Sequence, residues 1–351
     1  MIKMEKYNIY LNDFSSINKL INSYSSIFLL LDQNTEKYCL PILQKYLDVK
    51  SINLIKINSG EENKNIDTCC HIWKQLSELK ADRKSLMINL GGGVIGDMGG
   101  FCASTFKRGI DFINIPTTLL SQVDASIGGK LGIDFDNLKN QIGLFNDPKA
   151  IFISNEFFKT LDSRQILSGY AEIIKHGLIL DSDYWQLIKK TDLSNMNNLD
   201  TLMDLVKRSV ELKHQVVLQD PLEKNIRKSL NFGHTIGHAI ETFSLMNDTV
   251  PLLHGESIAI GLICESYLSY VSNNLSKNEL NEITNFINSI YKKYNLQEIN
   301  YNKIIDLMSN DKKNEDNNIN FTCINKIGSF VINQNFSNHE IIDSLHYYNS
   351  F

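Results

Sequence analysis

Three of the eight histidines fall within 21 residues: His234 and His238 in NFGHTIGHAIE, and His254 in HGESIAIG. Imidazoles grouped like this can ligate a divalent metal. A spacing of four puts His234 and His238 on one face of a helix, so either or both could serve. An ion such as Zn²⁺ needs a further donor, and Glu172 in SGYAEIIKHG is the best carboxylate candidate. Two His and one Glu leave coordination positions open, which is the pattern of a catalytic ion rather than a structural one. Cations collect in the same half of the chain: Lys175 three residues past Glu172, Lys213, Arg227, and Lys312 beside Lys313. Several of them near a metal would make an anion pocket.

A second chemical signal lies earlier. GGGVIG at 91–96 follows the apolar run SLMINL, and Gly91, Gly93 and Gly96 match the spacing that lets a backbone approach a pyrophosphate at a helix N-terminus near Asp97. That fingerprint asks for an acid about 20 residues on. Asp111 satisfies the count but precedes its strand, so Asp32, at the end of SIFLLLD, is the better ribose ligand. Three more segments set polar groups at strand ends: SGEENK (Gly60, Glu61, Lys64), PTTLL (Thr117, Thr118) and DASIGGK (Asp124 to Lys130). Four such loops describe a nucleotide crevice of an α/β sheet.

These groups need a scaffold, and the patterning supplies one. Short apolar runs at 26–32, 52–57, 85–90 and 111–115 read as strands, separated by amphipathic stretches such as 66–80. This predicts an α/β, Rossmann-like N-terminal domain with a mainly parallel sheet over 1–154. From 155 to 351 the periodicity is helical, through 155–180, 199–218, 226–244 and 254–271, with a hairpin near 317–332 and a last helix through EIIDSLHYY. The active site is expected in the cleft between the two domains. Asparagine-rich patches at 194–200 and 311–320 read as loops.

Composition bounds the function. The chain has 351 residues, 42% apolar, with 35 basic against 40 acidic side chains. That is too apolar for disorder and too evenly charged for a general nucleic-acid or membrane-surface binder. No apolar run reaches the ~18–20 residues of a membrane span, and the opening MIKMEKYNIYLNDF is charged where a signal peptide is apolar. Six cysteines without a CxxC pair read as reduced thiols, and a cytoplasmic location is expected.

With GGGVIGDMGGF, KRGIDFINIPTTLLSQVDASIGGK, KNQIG, GYAEIIKHG, LNFGHTIGHAIE and HGESIAIG in this order, the chain resembles the 3-dehydroquinate synthases over roughly 26–315. The resemblance implies a carbon–oxygen lyase that turns 3-deoxy-arabino-heptulosonate 7-phosphate into 3-dehydroquinate and phosphate, using regenerated NAD⁺ and Zn²⁺ or Co²⁺. It assigns Glu172, His234 and His254 to the metal, and His238 to substrate or proton transfer. NAD⁺ would be held by Asp32, Glu61, Lys64, the turn Gly93, Val94, Ile95, Gly96 and Asp97, by Thr117, Thr118, Lys130 and Lys139, and by Phe158, Lys159 and Thr160. Substrate would meet Asp124, Lys130, Asn140, Lys175, Lys213, Arg227, Asn231 and Lys312. An arginine matching Arg108 would reach the phosphate from a partner subunit, so a homodimer is implied. Other sugar-phosphate cyclases, or an NAD-dependent polyol or glycerol-phosphate dehydrogenase, are the alternatives. About four extra residues separate GHTIGHA from HGE, around LMNDTVP.

Overall fold

Apolar runs that lack polar alternation become strands covered on both faces. The computed structural model describes residues 1–3, 7–136, 138–191, 199–272, 275–309 and 319–351. Its strands are β1 (Ile2–Lys3), β2 (Asn8–Leu11), β3 (Ile27–Asp32), β4 (Asn53–Ile57), β5 (Leu86–Gly91), β6 (Asp111–Pro116), β7 (Lys130–Phe135), β8 (Leu138–Phe145), β9 (Ala150–Ile153), β10 (Phe321–Lys326) and β11 (Ser329–Gln334). The helices are α1 (Ile17–Ile21), α2 (Gln33–Tyr38), α3 (Leu40–Leu43), α4 (Ile66–Glu78), α5 (Gly93–Thr105), α6 (Ser163–Leu180), α7 (Ser182–Lys190), α8 (Leu199–Gln219), α9 (His234–Asn247), α10 (His254–Val271), α11 (Lys277–Ile290), α12 (Tyr301–Ser309) and α13 (Asn338–Asn349). They group into two units: 1–162 with 202–214, and 163–201 with 215–351.

The first unit is built on a seven-stranded sheet in the order β1-β2-β9-β6-β5-β3-β4, parallel except for the β1–β2 pair. Every residue of β5 is buried, whereas β4, at the edge, alternates. One face packs Phe28, Leu30 and Met87 under Ile72 and Leu76 of α4 and Met98 of α5. The other packs Leu29, Leu31 and Ile88 under Ile17 of α1 and Leu43 of α3. The four strands read from apolar runs are present within a residue or so. β1, β2, β9 and the β7–β8 hairpin were not foreseen. The helix after the glycine turn starts at Gly93 rather than near Asp97, so Val94 to Asp97 form its first turn.

Among the described residues, the only strands of the second unit are those of the β10–β11 hairpin, and its other elements are helical. α10 is buried along most of its length, as a central helix must be, and outside His254, Glu256, Glu265 and its two tyrosines its residues are apolar or small. Among the described residues no helix is long and apolar enough to cross a membrane.

Candidate functional site

In the second unit, glycines decide how closely three helices approach. A β-carbon on Gly255 of α10 would collide with the backbone of Ser168 in α6, and one on Gly261 with the backbone of Gly233 at the head of α9. Hydrogen bonds then fix the start of α10. Gly255 N donates to Ser168 Oγ at 3.0 Å, and Leu253 N donates to Glu256 Oε2 at 2.7 Å. That carboxylate is held in a two-point clamp by Arg164 at 2.7 and 2.6 Å.

These contacts bring Glu172 of α6, His234 of α9 and His254 of α10 to one point. His234 Nε2 lies 3.4 Å and His254 Nε2 3.6 Å from Glu172 Oε1. Each histidine's other nitrogen is occupied. His234 Nδ1 donates to the Phe232 carbonyl and His254 Nδ1 to Glu241 Oε2, both at 3.1 Å. A carbonyl only accepts, so Nδ1 of His234 carries the proton and its Nε2 presents a lone pair; a carboxylate partner likewise keeps a proton on Nδ1 of His254. His234 Nε2 thus presents its lone pair toward the Glu172 carboxylate, and His254 Nε2 faces the same oxygen. Both Glu172 oxygens are fully buried, Oε2 against the Lys175 ammonium and Oε1 facing the two imidazoles. Such a donor set fits a divalent cation, with the outer acceptors orienting the imidazoles as metal sites require. His238 adds a fourth donor, its ligand atom within 4.8 Å of those of His234 and His254.

The electrostatics divide the two histidines: burial opposes charge on His254, but the Glu241 and Glu172 carboxylates outweigh it and push His254 up to about 9, so a cation binding there would displace its Nε2 proton. Burial favours a protonated Glu172, but Lys175, in direct ion contact with it, and His234 outweigh burial and hold the carboxyl well below its usual range. Burial and the Lys175 charge push His234 well below the usual imidazole value, which keeps it neutral. Arg227, 1% exposed, is fixed by its own loop: its N–H donates to Asp220 Oδ2 at 3.1 Å and its Nη1 to the Pro221 carbonyl at 2.7 Å. Asn231 Nδ2 donates to Glu223 Oε1 at 3.1 Å. Lys312 lies outside the described residues.

The first unit assembles a different group. Chain order turns at β3, with β4 on one side and β5 then β6 on the other, and α/β sheets open a crevice at the carboxyl ends beside such a switch. Asp32 and Gly91 end the two strands that flank it. Gly92 precedes α5 without a side-chain cap, which leaves the first N–H groups of the helix for an anion. Gly92, Gly93, Gly96, Asp97 and Ser121 line a pocket there. Thr118 packs so near that a β-carbon on Gly92 would press its side chain at 3.2 Å, while Thr117 is buried behind, its N–H on the Gly91 carbonyl.

Lys64 is buried beside this turn, with Nζ 2.7 Å from Asp97 Oδ2 and 2.6 Å from Asn140 Oδ1. Burial alone would lower its pKa, but Asp97 and Glu61 outweigh burial and raise it. Lys139 Nζ stands 3.6 Å from Glu61 Oε1. Asn140, expected at the substrate, therefore stands among the residues expected at the nucleotide. Lys213 Nζ pairs with Asp124 Oδ1 at 2.8 Å, and Asp124 rides on a π-helical turn, Ser121–Ala125. Lys130 opens β7 as an exposed residue. Asp32 Oδ1 accepts the Thr35 N–H at 2.7 Å and so also caps α2. Phe158 is buried, while Lys159 and Thr160 lie at the surface of a short turn whose Glu156 pairs with Lys45. Asp111 sits at the opposite, amino end of β6, accepting from Tyr24 Oη at 2.9 Å.

Sequence reasoning missed Glu241. It lies seven residues, two helical turns, past His234, so the spacing alone places it on the histidine face of α9. Its link to His254 arises only when α9 and α10 pack.

The comparisons with known proteins converge. Residues 54–168 match the family described as 3-dehydroquinate synthase N-terminal, and residues 169–314 match 3-dehydroquinate synthase C-terminal. The 3-dehydroquinate synthase of Parabacteroides distasonis is 42% identical over 96% of this chain and 94% of its own. That of Campylobacter jejuni subsp. jejuni serotype O:6 is 36% identical over 98% and 97%. Among solved structures, 2-epi-5-epi-valiolone synthase from Streptomyces hygroscopicus subsp. jinggangensis, with NAD⁺ and Zn²⁺ bound, superposes with a TM-score of 0.86 at 22% identity over 100% of this chain and 98% of that one. A 2-deoxy-scyllo-inosose synthase complexed with carbaglucose-6-phosphate, NAD⁺ and Co²⁺ gives 0.84 at 21% over 97% and 96%. At these identities the structural likeness speaks for the fold, while the two matched domains and the curated relatives speak for the family: the chain belongs to the 3-dehydroquinate synthases.

Proposed function

We propose that the chain converts 3-deoxy-arabino-heptulosonate 7-phosphate into 3-dehydroquinate and phosphate with a regenerated NAD⁺, as a cytoplasmic homodimer. The observation that carries this reading is the convergence of Glu172 Oε1 with Nε2 of His234 and of His254. The 1–154 region takes the nicotinamide dinucleotide and 155–351 takes the metal and most of the substrate.

A divalent ion held by Glu172, His234 and His254 supplies Lewis acidity toward substrate oxygens, and NAD⁺ supplies a hydride acceptor. The chain's own groups do the remaining work. His238, half-buried with its ring 5.0 Å from that of His234, moves a proton at the substrate. Arg227, pre-set by Asp220 and Pro221, and Asn231 bind the substrate carboxylate and hydroxyls, with Lys175, Lys213, Asp124 and Lys312 completing the contacts. Lys130 neutralises the departing phosphate. Lys64, Asp97, Glu61, Lys139 and Asn140 hold the nucleotide beside the glycine turn.

Support for the dimer comes from Arg108. It is exposed in the turn that follows α5, a 13-residue helix that starts at the glycine turn, so the helix's length of about 20 Å separates the two. A second copy would deliver the guanidinium that one chain cannot. All six cysteines are free thiols, as a reducing cytoplasm keeps them.

The test is phosphate release by the purified protein with catalytic NAD⁺. The heptulosonate phosphate should turn over with no net NADH. Turnover of glucose 6-phosphate or sedoheptulose 7-phosphate in its place would assign another cyclase, and stoichiometric NADH would assign a dehydrogenase.

A further inference from the structure

The head of α9 poses a physical problem. The first N–H groups of a helix have no partner within it and need an acceptor where water is excluded. At α9 the residue in the capping position is Gly233, with φ of 80° and no side chain to offer. A side chain could not be added. Its β-carbon would strike both the side chain and the backbone of Leu262, and Gly233 itself packs its carbonyl on Gly261. The close packing that brings His234 to the metal donors thus removes any local cap.

The acceptor comes from the neighbouring helix. Glu265 lies on α10 one turn beyond Gly261, so the two share a face. Its Oε2 accepts the N–H of Gly233 at 2.6 Å and its Oε1 that of Ile236 at 3.0 Å. The side chain is 0% exposed. A carboxylate in that position is costly unless bonded, and two backbone N–H groups at the positive end of a helix are what compensates it. The two bonds bracket His234, one on the residue before it and one two residues after.

We infer that Glu265 is a positioning residue for His234: it acts as a remote cap that fixes the left-handed Gly233 turn, and so aims the imidazole at the metal position. Glu265 touches neither substrate nor metal. The inference rests on the proposed metal-dependent reading of the site, and it assigns a task to a buried carboxylate 31 residues downstream of the histidine it serves.

The experiment compares wild type with Glu265→Gln, which has nearly the same shape but keeps only one acceptor, and with Leu268→Ala, a cavity in the same helix at a 0% exposed position. Zinc affinity is measured on the full-length apo-protein by competition with a chromophoric chelator. Thermal unfolding of the metal-free protein is measured beside it, and the visible spectrum of the Co²⁺ form reports ligand geometry. Expected is a loss of zinc affinity of about 10-fold or more for Glu265→Gln, as for other residues that orient a metal ligand, with an altered Co²⁺ spectrum. Leu268→Ala should lower the melting temperature while keeping both metal readouts. Glu265→Gln with wild-type zinc affinity and Co²⁺ spectrum, whatever its melting temperature, would overturn the positioning role. Wild type that binds no zinc would defeat the metal reading first, and this inference with it.

Discussion

The two units treat buried charge in opposite ways. In the first, each cation near the glycine turn meets a partner: Lys64 has Asp97 and Asn140, and Lys213 has Asp124. In the second, the fully buried Glu172 carboxylate, in contact with Lys175, also faces Nε2 of two imidazoles. One region pairs its charges side chain to side chain and offers mainly backbone and shape; the other turns a carboxylate and two imidazoles toward a single point. A dinucleotide held through backbone and shape suits the first arrangement, and a divalent ion suits the second.

The sharpest way to break this contrast is Glu172→Gln. It removes the anionic donor and the charge opposite the buried Lys175, so loss of bound metal and a fall in kcat of about 10³-fold or more are expected. Metal analysis and steady-state phosphate release check it, and full activity with full metal content would dissolve the distinction. Glu241→Gln is gentler. It keeps an acceptor for His254 Nδ1 but withdraws the charge, and zinc affinity measured by chelator competition should drop by about 10- to 100-fold with NAD⁺ binding intact. Lys64→Met should do the reverse at smaller scale: the KM for NAD⁺ rises by about 10-fold, one lost charged hydrogen bond, while zinc affinity stays at the wild-type value. Titrations of both ligands on this variant would show whether the two regions are chemically separate.

Much of the scaffold could be read before it was seen, for a physical reason. β3 and β5 are buried on both faces, so their runs IFLLLD and LMINLG carry the strongest signal a strand can give. β7 and β8 mix Lys, Asp, Asn and Gly into KLGIDF and LKNQIGLF and show no such run. β9 is only four residues long, and its place between β6 and β2 is set by the sheet. The histidine pair on α9 was legible because helical spacing is local. Glu241 and Glu265 were not, since their partners arrive from other helices 13 to 32 residues away. The contact of Asn140 with Lys64 was not legible either, because the two lie 76 residues apart and meet only once β8 is folded against the turn after β4. The longer α9–α10 connection, flagged by its extra residues, is pinned at its base by Leu252 N on Ser244 Oγ while Val250 stands exposed.

The glycine contacts at Gly255 and Gly261 bear on how this sequence can drift. A methyl group at either position meets main chain, which cannot rotate aside as a side chain would, so the helices themselves would have to separate. The distance between His234 and His254 is therefore written in residues that carry no chemistry at all. Lineages descending from this chain can exchange most of the surface freely, yet at these two sites the alphabet has a single letter. An alanine at Gly261 would spoil the metal centre while leaving every ligand in the sequence unchanged.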